Sequence, residues 1–564
     1  MRARVTLAAT FCLAALEGEP SRVRAAPLIV DDPAALIDLE EHGFSFADVV
    51  GRRRLRAIKS VVEDDMREFT SGQPKDSPRR PFNPAWLTRG HFELVAVVNR
   101  FDRRGFDPNT CGEVRLVYRL ALQNKKRPAT RLPMTVNVRI PQPRKNDCRT
   151  VAREWLAGEN LASMLRKLPP LAKIEINFQS IHVPAFDKDM DDTAEYVLRA
   201  FDDHDGELVV DTLFNTPRAL TAGEKAELLA WIRDHLDEID RAVAVLPERF
   251  LATRAVSVSP RGLARSENRP YAKLLAANDL ADLPLEKRFV AKTPELLLRR
   301  LDESTCTGCH QTRGIAGFHL FGEERTKSSF NALAVGHSPH LTADLHWRAV
   351  DLEAAANGDP PPPRPFAAYP NGAYGSECGL TSGMSDWSCA PGLVCRDIHG
   401  SDVGVCAPKD GGSAPGEPCE DARIEPSDRQ AGPIMHAEKP DATCPAPPEE
   451  RFADGPFCAP NWLGFTGGMC SERCSTLGEI RGRAICAPLP AAYYESDCFL
   501  STEPIETCLK RHFVSAFVAR CDAKTPCRDD YGCARVPNAP LGTGACVPPY
   551  FIFQARVDGP KLDR

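Results

Sequence analysis

The sequence predicts an α+β body followed by an irregular, disulfide-rich C-terminal region, and three observations support this. Two blocks with apolar residues at helical spacing flank a block of strand-like segments. Sixteen of the 21 cysteines lie between Cys378 and Cys546. A proline run, DPPPPRP, separates the two regions and predicts a stiff linker over residues 358–366. The 564-residue length is that of about three to four domains.

Composition and charge exclude several classes of protein. Hydrophobic residues make up 43% and charged residues 26% of the chain, which is typical of a globular protein rather than a disordered one. The net charge of −6 argues against a nucleic-acid-binding protein. The apolar runs fall short of the ~18 residues that a membrane-spanning helix needs, so no transmembrane span is predicted.

The first 26 residues predict an export signal peptide. A charged start, MRAR, precedes the apolar run VTLAATFCLAAL, and small residues follow at Ala25 and Ala26. A buried N-terminal helix is the alternative. The cysteine-rich region favours export independently, because disulfides form in oxidising compartments. The expected location is the periplasm, the cell surface or the medium.

The elements of the body, residues 27–290, follow in order. Residues 34–41 and 46–69 are predicted as helices by their three- and four-residue apolar spacing. A further helix is expected at residues 149–168. Alternating and β-branched segments predict strands at residues 92–98, 114–120, 134–140, 174–183, 195–201 and 208–213.

Helices resume after the strands. The first is predicted at residues 222–239 and begins with a capping box, because Thr221 stands three residues before Glu224. The second, at residues 294–302, is amphipathic and leads into a short cysteine motif. The segment that contains this helix and the motif spans residues 291–357.

The motif is CTGCH at residues 306–310, a C-x-x-C-H pattern that is the signature of covalent c-type haem attachment. Two thiols three residues apart on a helical turn lie on one face, so both can form thioethers with the vinyl groups of one haem. Cys306 and Cys309 are therefore predicted as the anchors of one haem c per chain, and His310 as the proximal iron ligand. The alternatives are a Cys306–Cys309 disulfide and half of a zinc site.

These residues also carry a resemblance. CTGCHQ is similar to the attachment box of mono-haem c-type cytochromes. The stretch at residues 306–322, with Asn99–Asp102 and Cys111–Arg115, resembles exported bacterial proteins of uncharacterised function that carry one such box and a cysteine-rich C-terminal region. The resemblance spans about residues 90–350. It implies a haem-attachment segment packed on the α+β body, and it implies no particular reaction.

The sequence does not identify the sixth iron ligand. Small cytochromes c commonly use a downstream methionine, but no methionine lies between His310 and Met384. His340, in a GHSPH segment expected to be a loop, is the first choice for the second iron ligand. The other candidates are His319, His337 and His346. Bis-histidine ligation would favour a lower potential, whereas an open site would allow small-ligand or peroxide chemistry.

Polar residues at strand ends are candidates for holding the haem propionates. Arg100 and Arg115 are predicted as propionate partners, because the guanidinium fork suits a carboxylate. The alternative, favoured at this stage, is an internal network of arginines and carboxylates. Cys111 and Cys148 are the remaining cysteines of the mature body and are predicted to form a disulfide.

The C-terminal region, residues 367–564, contains loosely repeated cysteine patterns that predict two small units. Its sixteen cysteines allow eight disulfides, with a connectivity that the sequence leaves open. It is either a rigid spacer or a module for a cell-surface or extracellular ligand.

The function expected from these features is that of an exported c-type haem protein with an electron-transfer or redox role and an unidentified redox partner. The first alternative is an extracellular cysteine-rich binding or structural protein in which the two motif cysteines form a disulfide. The second is a haem enzyme with an open iron. No hydrolase, zinc-protease, P-loop or dinucleotide-binding motif is present in the sequence.

Overall fold

A computed structural model gives the fold of most of the body and of parts of the C-terminal region. The described residues are 28–72, 80–122, 130–144, 147–158, 160–183, 193–260, 269–308, 333–334, 339–366, 368–372, 377–391, 393–396, 403–408, 457–459, 469–471, 520–521, 532–535 and 544–547. Cys309, His310, His319 and His337 lie outside these residues, as does the predicted signal peptide.

An antiparallel sheet of nine strands organises the body. Seven strands follow the order β1-β3-β4-β5-β6-β7-β8, while β2 pairs with β6 and β9 with β7. The strands are β1 Ile29–Val30, β2 Arg80–Pro81, β3 His91–Arg100, β4 Thr110–Leu122, β5 Thr130–Pro143, β6 Lys173–Val183, β7 Thr193–His204, β8 Glu207–Asp211 and β9 Arg254–Pro260. The α+β class is confirmed, and every predicted strand is present.

Eleven helices accompany this sheet in the described residues. They are α1 Pro33–Leu39, α2 Phe46–Val49, α3 Gly51–Thr70, α4 Trp86–Arg89, α5 Cys148–Ala157, α6 Leu161–Arg166, α7 Ala222–Asp234, α8 Leu236–Asp240, α9 Pro270–Leu274, α10 Pro294–Glu303 and α11 Pro339–Asn357. The capping box at the start of α7 is confirmed: Glu224 accepts a 2.8 Å hydrogen bond from the Thr221 N–H.

The two faces of the sheet differ, because side chains alternate along each strand. On one face, residues such as Leu116 and Val136 pack against Ile58 and Val62 of α3 in the main hydrophobic core. The opposite face carries polar side chains in the same strands, including Arg115, Thr135, Asn137, Glu175 and Asn177. This polar face is the floor of the site described below.

Helices α7 to α10 form a second hydrophobic core beside the sheet. Leu228 and Ile232 of α7 pack there with Leu297 and Leu301 of α10. The predicted helix before the CTGCH motif is thus confirmed. It is held on its buried side by the preceding helices of the body.

Three predicted helices are shorter than expected, for local reasons. The helix at residues 46–69 is broken into α2 and α3 at Gly51, whose φ of 72° is left-handed. The helix at residues 149–168 is broken into α5 and α6, because Gly158 ends α5 with a φ of 66°, a conformation that favours glycine. The helix at 222–239 is broken into α7 and α8 at His235, whose φ of −119° is not helical.

The GHSPH segment was expected to be a loop, and this is wrong for its last two residues. Pro339 opens α11, where its fixed φ suits the first turn of a helix, and His340 lies one residue further on.

Strand β9 was not predicted from the sequence. It pairs with β7 over seven residue pairs.

Cysteine pairs at disulfide distance occur in both regions. The sulfur atoms of Cys111 and Cys148 lie 2.08 Å apart, so the bridge predicted between β4 and α5 is confirmed. Cys378 and Cys395 form a second bridge, in the C-terminal region.

Among the helices of the described residues, none has the length and apolar character needed to cross a membrane.

The proline linker lies against the body. The Trp347 indole N–H of α11 donates a 3.1 Å hydrogen bond to the Pro363 carbonyl oxygen, and the Arg364 guanidinium lies 4.6 Å from the Trp347 ring centroid. Beyond the linker, Asp386 of the cysteine-rich region accepts a 2.7 Å hydrogen bond from Arg299 of α10. The start of the C-terminal region is therefore packed on the helix that leads into CTGCH.

Candidate functional site

A cavity of about 170 Å³ lies on the polar face of the sheet, where α10, α11 and the linker meet. Thr135, Asn137 and Asn177 of β5 and β6 line it from the sheet side. Cys306 lines it as well. Seven lining residues are arginines: Arg100, Arg103, Arg115, Arg199, Arg300, Arg348 and Arg364.

The chain reaches Cys306 through a tight turn after α10. The Thr305 hydroxyl donates a 2.7 Å hydrogen bond to the Asp302 carbonyl oxygen. Gly308 follows this turn so closely that a Cβ there would lie 2.3 Å from the same oxygen, which explains the glycine inside the motif. The backbone between the two motif cysteines is therefore shaped by contact with the end of α10.

The Cys306 thiol is held against the sheet. Its backbone N–H donates a 2.9 Å hydrogen bond to the Thr216 hydroxyl, and its Sγ lies 3.6 Å from the Phe214 carbonyl oxygen. Burial and the negative charge of Glu175 raise the pKa of the thiol to about 12. Cys306 is a free, neutral thiol within the described part of the chain.

Three arginines surround two glutamates on the sheet side of the cavity; we call Arg103, Arg115, Arg139, Glu113 and Glu175 the sheet cluster. Arg115 Nε lies 2.8 Å from one Glu113 oxygen, and Arg139 Nη2 lies 2.6 Å from the other. Both arginines also reach Glu175, each at 3.1 Å. Burial alone would raise the pKa of Glu113, but the three guanidinium groups hold it well below its usual range.

A second group of the same composition lies on the helix side; we call Arg100, Arg348, Arg364, Asp102 and Asp344 the helix cluster. Arg100 holds Asp102 through two 2.9 Å hydrogen bonds. Arg348 and Arg364 each lie 2.6 Å from Asp344. Burial opposes ionisation of Asp102, yet the surrounding arginines lower its pKa well below the usual range.

Three of the lining arginines have lowered pKa values. Burial, reinforced by nearby positive charges, lowers the pKa of Arg103 to about 9 and that of Arg300 to about 10. The same causes lower the pKa of Arg348. All three are 8% exposed or less. Such arginines mark a place where an anion would be stabilised.

Contacts keep these arginines in place around the cavity. The Arg103 guanidinium lies over two aromatic rings, 4.5 Å from the centroid of Phe106 and 4.1 Å from that of Phe214. Arg300 donates a 2.7 Å hydrogen bond to the Arg364 carbonyl oxygen, while its Nε has no hydrogen-bond partner among the described residues.

The structure brings together several of the residues singled out from the sequence. Cys306, Arg100 and Arg115 all line the cavity. The two arginines make internal ion pairs, as the alternative interpretation predicted: Arg100 pairs with Asp102, and Arg115 pairs with Glu113 and Glu175. His340 stands four positions before Asp344 in α11, whereas His346 of the same helix is exposed.

Sequence reasoning missed Arg103, Arg300, Arg348 and Arg364. The available signals were weak: Arg103 is adjacent to the Arg100–Asp102 segment, and Arg364 interrupts the proline run. Arg300 and Arg348 lie on helices whose neighbours the sequence does not reveal. Only the packing of α10 and α11 on the sheet brings these charges together.

The comparisons with known proteins do not supply a family. No family model, curated protein or solved structure matches this chain. Within the described residues, no group of three histidine, cysteine, aspartate or glutamate side chains is arranged to hold a metal ion.

Asp302, the last buried carboxyl of α10, makes the stability of this region pH-dependent. It is 1% exposed, and burial raises its pKa to about 7 although it accepts a 2.7 Å hydrogen bond from the Tyr271 N–H. The folded state keeps this proton up to about pH 7, whereas the unfolded chain loses it near pH ~4. The free energy of unfolding should therefore fall as pH rises between these values.

Replacing Asp302 isolates this effect. Asp302→Asn should abolish the part of the pH dependence between pH 5 and 8 that comes from this carboxyl, measured by urea unfolding at both values. Asp279→Asn, at an exposed carboxyl paired with Lys225, is the control and should keep the wild-type pH dependence. An unchanged pH dependence in Asp302→Asn would contradict the assignment.

Proposed function

We propose that this protein is an exported c-type haem protein with an electron-transfer or redox role outside the cytosol. Cys306 and Cys309 would anchor one haem, and His310 would be its proximal ligand. The observation that carries the proposal is the position of Cys306: the first cysteine of a C-x-x-C-H motif lines an arginine-rich cavity on the body.

The described residues fit such a group. A neutral thiol held at the cavity wall is in the form that adds to a vinyl group, and it is not engaged in a disulfide among the described residues. The two propionates of a haem are carboxylates, and guanidinium groups bind carboxylates in a fixed fork geometry. Arg100 and Arg115 belong to the two clusters and both line the cavity. Each would help to hold one propionate.

When bound, haem c would supply a one-electron iron couple. The residues of the chain would then set its surroundings: the arginines would hold the propionates, and burial on the sheet would restrict access of water. His340 of α11 is the candidate for the sixth iron ligand. It stands four positions before Asp344 and eight positions before Arg348 in the same helix. Positions with this spacing share one helix face, and both of those residues line the cavity.

The C-terminal region adds a second layer to the proposal. Arg299 of α10 binds Asp386 and the Gly383 carbonyl oxygen of the first cysteine-rich unit, at 2.7 and 2.5 Å. The Phe366 ring lies 4.1 Å from the same guanidinium. This unit would therefore be attached directly beside the haem-bearing turn, where it could present a surface to a redox partner or an extracellular ligand.

The test is the absorption spectrum of the full chain produced in a host that matures c-type cytochromes. We expect a Soret band that remains with the polypeptide after acid–acetone extraction, and a chain mass increased by one haem. A colourless chain with a Cys306–Cys309 disulfide would instead identify an extracellular binding or structural protein. Addition of cyanide or carbon monoxide separates the remaining alternatives, because a six-coordinate carrier resists the spectral shift that an open iron shows.

A further inference from the structure

The two clusters around the cavity have the same unbalanced composition. The sheet cluster combines three arginines with two glutamates, and the helix cluster combines three arginines with two aspartates. Each therefore carries one positive charge in excess within the described residues. The charges of the remaining lining arginines are matched by carboxylates. Arg199 pairs with Asp65. Arg300 pairs with Glu303, which it shares with Arg299, and Arg299 also pairs with Asp386.

This imbalance is buried, and burial makes it costly. An uncompensated charge in a protein interior is strongly unfavourable unless a partner completes it. Arg103 of the sheet cluster and Arg348 of the helix cluster are 8% and 7% exposed, and both have lowered pKa values. In the sheet cluster Arg103 carries the unmatched charge, because its 3.3 Å contact with Glu113 is longer than those of Arg115 and Arg139. In the helix cluster Arg348 and Arg364 share the one carboxylate of Asp344, at 2.6 Å each.

The cavity between the clusters has the room and polarity for a ligand. Its volume of about 170 Å³ is close to the ~150 Å³ of an engineered cavity that holds benzene. The Nε of Arg300, which lines the cavity and is 2% exposed, has no hydrogen-bond partner among the described residues. Buried polar atoms of this kind are rare unless something else satisfies them.

We propose that this cavity binds the two carboxylates of one ligand, one at the sheet cluster and one at the helix cluster. A ligand with two negative charges would neutralise both excess charges at once. Two sources share this chemistry: the propionates of a covalently attached haem, and a free small dicarboxylate. The first source rests on the function proposed above, and the second does not.

Succinate is the probe, and calorimetric titration of the full chain is the measurement. One arm uses the haem-free double variant Cys306→Ala/Cys309→Ala, and the other uses wild type matured with haem. Binding to the haem-free chain alone would identify the propionates as the natural occupants. Binding to both forms would identify a free dicarboxylate. Succinamide, which has the same length without charge, should not bind to either.

Two variants test whether the unmatched arginines are responsible. In the haem-free chain, Arg103→Gln and Arg348→Gln should each weaken succinate binding at least tenfold, because each removes a charge-assisted contact. Neither should lower the thermal midpoint, since the carboxylates of each cluster keep two arginines. Arg249→Gln is the matched control: its guanidinium also lies over a phenylalanine ring and pairs with a glutamate, but it is 60% exposed and outside the cavity.

A second measurement uses the matured protein and does not depend on the haem-free chain. Loss of a cation beside a propionate stabilises ferric iron, so Arg103→Gln and Arg348→Gln should lower the haem midpoint potential relative to Arg249→Gln. The proposal is overturned if succinate binds to neither form and the potentials are unchanged. It is also overturned if both cavity variants bind succinate as the control does. A chain that binds succinate but never acquires haem would refute the haem function alone.

Discussion

Glu113→Gln is expected to destabilise the body by about 3–5 kcal/mol, the usual cost of removing one partner from a buried ion pair. Glu113 is 7% exposed and accepts hydrogen bonds from Arg115 and Arg139, with Arg103 at 3.3 Å. Without it, three buried guanidinium groups would share the single carboxylate of Glu175. Urea unfolding at pH 7 measures the loss.

Acid sensitivity provides a second readout for Glu113. Its pKa in the folded state is held well below the usual range, so its contribution is present above the unfolded value of about 4.3 and is lost as pH falls towards the folded value. The difference between wild type and Glu113→Gln should therefore shrink under strongly acidic conditions.

The control for Glu113→Gln is Glu207→Gln. Glu207 also pairs with an arginine, Arg53, but both side chains are more than half exposed. An exposed pair contributes about 0–1 kcal/mol, so this variant should unfold almost as wild type does. Equal effects of the two substitutions would show that the sheet cluster is not a buried, low-dielectric site.

Cys306→Ser is expected to remove the thioether on the cavity side and to abolish normal covalent haem attachment. Serine keeps a small polar group near the Phe214 carbonyl oxygen and leaves the backbone hydrogen bond to Thr216 intact, so the body should remain folded. The measurement is the absorption spectrum of the chain after acid–acetone extraction, because a haem held by one thioether keeps a vinyl group that shifts its bands from those of a haem held by two. The thermal midpoint is measured alongside.

A neighbouring hydroxyl supplies the matched control for Cys306→Ser. Ser304 also lines the cavity, but it lies outside the motif and its hydroxyl is satisfied by the Leu301 carbonyl oxygen at 2.6 Å. Ser304→Ala should retain covalent haem at the wild-type level. An absorption spectrum identical to that of wild type in Cys306→Ser would contradict the role assigned to this thiol, because a single remaining thioether leaves one haem vinyl group unreacted.

The local features of the fold follow closely from the sequence. Strand and helix periodicities predicted every long strand of the sheet except β9, and the Thr221–Glu224 capping box begins a helix as expected. The Cys111–Cys148 bridge was predictable by elimination, since these were the two unassigned cysteines of the body. These features depend on residues that are close in the chain or on chemistry that few residues share.

The predictions were weaker where one backbone conformation decides the outcome. Gly158 divides a long segment of helical apolar spacing into two helices. The spacing of apolar residues does not reveal that a single glycine adopts the left-handed conformation and ends the first helix. The GHSPH pattern predicts a loop at Pro339, although proline is equally suited to the first turn of a helix, where it stands in the structure. In both cases the same residue type supports two local structures, and packing selects one.

By itself, the sequence determined the α+β class, the cysteine bridge of the body and the motif that points to haem, because each depends on local spacing or on residue chemistry. Only the tertiary structure decided that Cys306 lies beside a cavity lined by seven arginines. Those arginines come from β3, β4, β7, α10, α11, the linker and the turn after β3, and their sequence neighbours do not reveal their partners. Their charges act together because folding brings them within a few ångströms in a poorly solvated interior, where electrostatic interactions are strongest.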